Sequence, residues 1–167
     1  MEKKTTLGHR GRTSERPGKR SKASAREPEQ FSGSERARLL ALAVAAAGLD
    51  KKATGVEIID VFGKVDYTEF LVLMSGRSDR HVHAIARGVE DDLRQQGDPP
   101  LSVEGLTASM WVLLDFNDVV VHVFQQQARA YYDLEGLWID AGRVSLPETE
   151  RTRRGTTAGR PSTAPKE

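Results

Sequence analysis

Four histidines, 24 carboxylates and no cysteine are the groups through which this 167-residue chain could do chemistry. Without cysteine there is no disulfide scaffold, no thiolate zinc site and no cysteine nucleophile. His81 and His83 invite a metal reading. On a helix, however, residues two apart project about 200° apart around the axis. Both rings therefore cannot grip one ion, and His122 belongs to a different segment. Solvent-facing or capping histidines are the expectation, with no metal and no cofactor.

Ser75-Gly76-Arg77-Ser78-Asp79 has the form of a strand-to-helix turn, and a helix N-terminus there could hold an anion. Phosphate-transfer chemistry on such a turn also needs a carboxylate pair on one face of a following strand to hold Mg²⁺. Asp115 and Asp118 flank a turn instead, Asp91 and Asp92 fall on a helix, and the segment Leu101 to Glu104 offers one acid. The pair is missing, so Ser78 and Arg77 are expected to cap a helix. Ser109 and His122 could approach across a hairpin, but nothing builds a nucleophile elbow. No catalytic residue is assigned and no enzyme activity is expected.

The elements that would position these groups follow from periodicity. Ser32 and Glu35 have capping-box spacing ahead of a helix bearing Leu39, Leu42, Ala43 and Ala46 on one face, with Gly48 as its stop. Val56 to Phe62 is a strand by β-branched content, and Phe70 to Met74, apolar on both faces, is a central strand. Ser78 caps a helix from Asp79 to Gln96 with Val82, Ile85, Ala86, Val89 and Leu93 in one stripe. Leu101 to Glu104 is a short edge strand. Trp111 to Asp115 and Asp118 to Phe124 form a hairpin around Phe116-Asn117, with Trp111 opposite His122 and Leu113 opposite Val120. One hairpin face is wholly aliphatic, the other mixes Trp111, Leu113, Asp115, Asp118, Val120, His122 and Phe124. A tryptophan on such a face is either half-covered by a neighbouring helix or an interface anchor. Ala128 to Leu137 is a last helix carrying Tyr131, Leu134 and, just beyond it, Trp138. The alternation predicts an α/β (α+β) sandwich with a mixed β-sheet and flanking helices.

Charge is unevenly spread. Residues 1–38 carry 11 Lys/Arg against 5 Asp/Glu, residues 39–146 carry 9 against 16, and residues 147–167 carry 5 against 3. Nine of the ten aromatics lie between Phe62 and Trp138, so the foldable part is one ordinary domain. Residues 1–31 are expected as a disordered basic tail, 32–146 as the domain and 147–167 as a second disordered tail. The tails suit either solubility or attraction to RNA phosphate. The longest apolar run, Leu39 to Ala47, has nine residues, too few for a membrane span. No secretory leader is expected at Met1. The Arg- and Ser-rich start leaves an organellar location open beside the cytoplasm, though Glu2, Glu15, Glu27 and Glu29 speak against a transit peptide.

Several motifs together resemble the Iojap family, the ribosomal silencing factors. They are Asp50-Lys51-Lys52-Ala53, Ser75 to Val82, Val103-Glu104-Gly105, Trp111 to Asp115, Asp118-Val119-Val120-Val121-His122-Val123-Phe124, and Arg129 to Trp138. The resemblance spans Leu39 to Val144 in order. It implies an α/β fold related to nucleotidyltransferases but without the catalytic acids. It also implies a translation repressor that binds the large ribosomal subunit at ribosomal protein fourteen on the intersubunit face. There it would bar joining of the small subunit when nutrients run short. Trp111 matches the tryptophan the family uses at the contact. Leu113, Asp115, His122, Arg129, Tyr132, Leu137 and Trp138 match other motif positions and complete the expected partner-binding set. An uncovered apolar sheet face would also serve a homodimer. Four positions depart from the pattern: Glu69-Phe70 replaces Asp-Tyr, His83 replaces Gln, and Gln127 replaces Glu.

On this reading the basic N-terminal segment contacts ribosomal RNA. Deleting residues 1–30 should then weaken large-subunit binding most at low salt, where charge attraction is least screened. Equal binding of full-length and shortened chains across a salt series in co-sedimentation would show the segment to be passive.

Overall fold

A computed structural model describes residues 33–147. Its elements run α1 (Glu35–Asp50), β1 (Thr54–Asp60), β2 (Phe70–Gly76), α2 (Asp79–Gln95), β3 (Ser102–Glu104), β4 (Trp111–Asp115), β5 (Val119–Gln125), α3 (Gln126–Tyr132), α4 (Leu134–Leu137) and β6 (Gly142–Arg143). The strands form one mixed sheet in the order β3-β4-β5-β2-β1-β6. β2 and β5 are parallel, and every other pairing is antiparallel. The expected α/β architecture is therefore the observed one. The two tails lie outside the described residues. Among those described, no helix is long and apolar enough to cross a membrane.

β2 is buried along its whole length, as its apolar sequence requires, because neighbours flank it and both of its faces are covered. On one face Phe70, Val72, Met74, Val112, Leu114, Val121 and Val123 meet α1 and α2 in the main core. The α2 stripe is as expected: Val82, Ile85, Ala86, Val89 and Leu93 are all buried, and the Ser78 hydroxyl accepts from His81 N. Burying five such side chains stabilises the domain far more than the helix's intrinsic propensity.

α1 departs from expectation in three ways. Its cap is Ser34, whose hydroxyl accepts from Ala37 N at 3.2 Å, while Ser32 lies outside the described residues. The reciprocal carboxylate comes from Glu69 rather than Glu35: Glu69 Oε2 accepts from Ser34 N at 2.5 Å. Tethering the start of α1 is the role of Glu69 here. The buried face is Ala37, Ala41, Val44, Ala45 and Gly48, whereas Leu39 is exposed. The run from Leu39 to Ala47 is apolar all round, so periodicity does not select a face. Small residues win because the helix lies close to the sheet. A Cβ on Gly48 would stand 2.5 Å from Met74 Sδ. Gly48 is thus a packing residue, and the helix ends beyond it, at Asp50 with Lys51 as its C-cap, before Lys52 turns left-handed at φ 65°.

The hairpin register is offset by two residues. Trp111 pairs with Phe124, Leu113 with His122 and Asp115 with Val120. The loop is longer than Phe116-Asn117: Phe116 N donates to Val119 O, and Asn117 adopts φ 72°. An even offset keeps every side chain on its expected face. The final helix is also different, breaking at Asp133 into α3 and α4, and β6 was not foreseen.

His81 proves to be a clamp. Its Nδ1 accepts from Arg77 N at 3.1 Å, and its Nε2 donates to Lys51 O at 2.8 Å, joining the β2–α2 turn to the end of α1. His83 is exposed. His81→Phe removes both bonds and should lower stability by about 1–3 kcal/mol, visible as a lower urea midpoint with an unchanged slope.

Candidate functional site

Among the described residues no long helix covers the second sheet face. Across it run two side-chain rows set by strand pairing: Ser75, Phe124 and Trp111, then Leu73, His122 and Leu113. Ile59, Val61, Leu71, Leu73, Val120 and Phe124 form a smaller core there, packed against Ala128, Ala141, Leu134 and Trp138 from the chain after β5. The short α3–α4 segment therefore does on this face what α1 and α2 do on the other.

Trp111 sits where that cover ends. Its ring stacks on Phe124 at 5.0 Å and meets Tyr132 at 4.8 Å and His122 at 5.8 Å. The indole Nε1–H donates to His122 Nδ1 at 3.1 Å. An indole nitrogen only donates, so His122 Nδ1 carries no proton and the imidazole is neutral. Burial supports that state, pushing His122 from the ordinary 6.5 down to about 4. Trp111 is itself half-buried, held on three sides by aromatic rings yet open in part to solvent. Of the two readings open to such a tryptophan, half-covered by a helix or anchor for a partner, the geometry meets the first and leaves room for the second.

The structure brings Trp111, His122 and Tyr132 together and sets Leu113 beside His122. Tyr132 and Leu137 are exposed at 50% and 67%, and Trp138 is half-buried against the smaller core. Asp115 lies at the far end of β4 and caps the hairpin, its Oδ1 accepting from Asn117 N at 2.7 Å. Arg129 points inward, to Gly55, Ser75 and Glu135. Sequence reasoning passed over two exposed apolar neighbours, Met110 and Tyr131, the latter edge-on to Tyr132 at 5.1 Å. A tyrosine doublet at a helix end was the signal for Tyr131, and for Met110 its place beside Trp111.

The break that shapes this edge is chemically specified. Asp133 adopts φ 42° and ψ 56°, a left-handed conformation that costs a non-glycine residue about 1 kcal/mol. Its Oδ1 accepts from Gly136 N at 3.2 Å, starting α4. A Cβ on Gly136 would run into the Asp133 carboxylate. A wide cleft of about 800 Å³ lies between α4 and the β1–β6 edge, lined by Glu57, Asp133, Glu135 and Arg143 among others. Among the described residues no group of three or more His, Asp or Glu could hold a metal ion.

Such an arrangement defines a small α/β domain with helices on one face and a partly open aromatic surface on the other. Residues 34–167 match the family described as "Ribosomal silencing factor during starvation", RsfS, and the chain belongs to that family. It is 43% identical over 108 residues to the ribosomal silencing factor RsfS of Halalkalibacterium halodurans, covering 65% of this chain and 92% of that one. A more distant relative is the "Mitochondrial assembly of ribosomal large subunit protein 1" of Mus musculus, 33% identical over 91 residues, or 53% of this chain and 40% of that one. A crystal structure from Bacillus halodurans superposes with a TM-score of 0.57 at 40% identity, over 65% of this chain and 98% of that one.

The His122 ring carries a pH dependence of defined sign. Its folded value lies below its unfolded one, so folding favours the neutral ring. That contribution is complete above about 6.5 and is lost as pH falls through about 4. Stability should drop across this window by up to about 3 kcal/mol more in the wild type than in His122→Gln. Urea midpoints measured for both proteins from pH 7 to 4 check this; parallel curves would contradict it.

Proposed function

We propose that this silencing factor docks on the large ribosomal subunit through the Trp111 surface and thereby bars the small subunit. The partner on this reading is ribosomal protein fourteen of the large subunit, at the intersubunit face, and the occasion is nutrient limitation. The mechanism is steric, with no bond made or broken. The chain acts in the cytoplasm, where its ribosomes are, and needs no cofactor.

One observation carries the reading. Trp111 is gripped by Phe124, Tyr132 and the His122 hydrogen bond, yet part of it stays open beside exposed Tyr132 and Leu137. A large side chain already fixed in place loses little entropy on binding, which is what an anchor requires. Leu113, His122 and Trp138 support this surface from beneath, and Asp115 extends it along β4. The acidic segment 39–146 suits a basic ribosomal protein and speeds encounter more than it adds affinity. The name of the mouse relative supports the large subunit as the partner.

The test is co-sedimentation of the purified chain with separated small and large subunits. The chain should pellet with the large subunit only. Trp111→Ala should weaken that binding at least about 30-fold, the equivalent of roughly 2 kcal/mol for an anchor residue, with its far-UV spectrum retained. Undiminished affinity in the variant would remove this surface from the mechanism.

A further inference from the structure

Arg129, one of the site residues chosen from the sequence, has its charged group engaged by three separate elements of the chain. Its Nε donates to Glu135 Oε1 at 2.5 Å, and its Nη1 donates to Gly55 O at 2.6 Å and Ser75 Oγ at 3.0 Å. Its Nη2 lies 4.0 Å from Glu57 Oε1, and the side chain is 12% exposed. The partners come from β1, the end of β2 and α4. Gly55 is shaped for this hold. It sits where the β1–β2 register shifts, with φ 57°, and a Cβ there would stand 2.8 Å from Arg129 Nη1. Glu135, and Glu57 which it shares with Arg143, lie against the guanidinium, so its donors are directed into the chain.

What this hold achieves follows from helix geometry. The sequence from Ala128 to Leu137 favours one continuous helix, yet the chain breaks at Asp133. In an unbroken helix, residues six apart project about 240° apart. Arg129 and Glu135 would then leave the helix on different sides, and their ion pair could not close. The pair exists only in the broken form. Tyr132 immediately precedes the break, and its ring is the one that meets Trp111 at 4.8 Å.

We propose that Arg129 is a positioning residue: its hold on Gly55, Ser75 and Glu135 selects the broken α3–α4 corner over a continuous helix and so sets Tyr132 against Trp111. The second half, that this placement serves partner docking, rests on the function proposed above. Arg129 itself does not touch the partner.

The experiment uses the full chain with Arg129→Met, which keeps length and loses every donor, and Arg129→Lys, which keeps the charge and loses the fork. Nuclear magnetic resonance reads the Asp133 Cα shift, left-handed against helical, and the Tyr132–Trp111 ring contact. Co-sedimentation reads large-subunit affinity. In Arg129→Met the Asp133 shift should turn helical, the ring contact should vanish and affinity should fall at least tenfold, while amides of β2 and β5 keep their protection. Arg129→Lys should show the same changes in smaller degree, and it decides the matter alone if the methionine variant does not fold. Lost affinity with the corner intact would make Arg129 a direct contact and overturn the proposal. So would a corner that survives both substitutions. Failure of the docking reading shows separately, as undiminished affinity of Trp111→Ala; the Asp133 and Tyr132 signals then decide the positioning role without it.

Discussion

Both long helices of this domain lie on one side of the sheet, and everything distinctive about the other side follows from that asymmetry. A central strand that is apolar in both directions cannot leave either face wet. Leu71 and Leu73 must be covered, and among the described residues the segment after β5 and the loop after β1 do so. Two short helical pieces cover less area than two long helices. The cover runs out at β4, and Trp111 marks its limit. The partly open aromatic surface is thus a consequence of how the chain is divided between the two faces, before any partner is considered.

Polar atoms within this thin cover are matched among themselves. The Trp111 indole N–H finds His122, the Asp133 carboxylate starts α4, and the Arg129 guanidinium finds two carboxylates, a hydroxyl and a carbonyl. Each match has a direction, so each fixes an angle as well as a distance. Apolar packing alone would hold α3 and α4 against the sheet without deciding their orientation. The hydrogen bonds decide it. A surface that binds by shape needs this, since an anchor that is free to move loses on binding what its area gains.

Much of this was legible in the sequence, for reasons that differ by element. The β2 strand and the α2 stripe were clear because their patterns admit one interpretation. The mixed face of the hairpin was clear because alternation survives an offset of two. The α1 helix was legible but its buried face was misassigned, because a helix of alanine and leucine offers several faces of similar hydrophobicity. Its true face was chosen by the space beside Met74, a property of the sheet. The Asp133 break was invisible locally: Tyr-Tyr-Asp-Leu-Glu is acceptable helix sequence, and the opposing interactions come from Gly55 and Ser75, more than 50 residues away. For the same reason the inward turn of the Arg129 guanidinium was not legible locally. Motif position shows that a residue matters but not which way it faces.

The parallel pairing of β2 with β5 has a consequence for how the molecule is made. Phe70 meets Val119 only after the chain has closed a loop of about 50 residues holding α2, β3 and β4. Until Val119 to Gln125 has left the exit tunnel, one side of the most apolar strand has nothing to bond with. A partly synthesised copy therefore exposes a sticky edge from the making of β2 until β5 follows it, about 50 residues later.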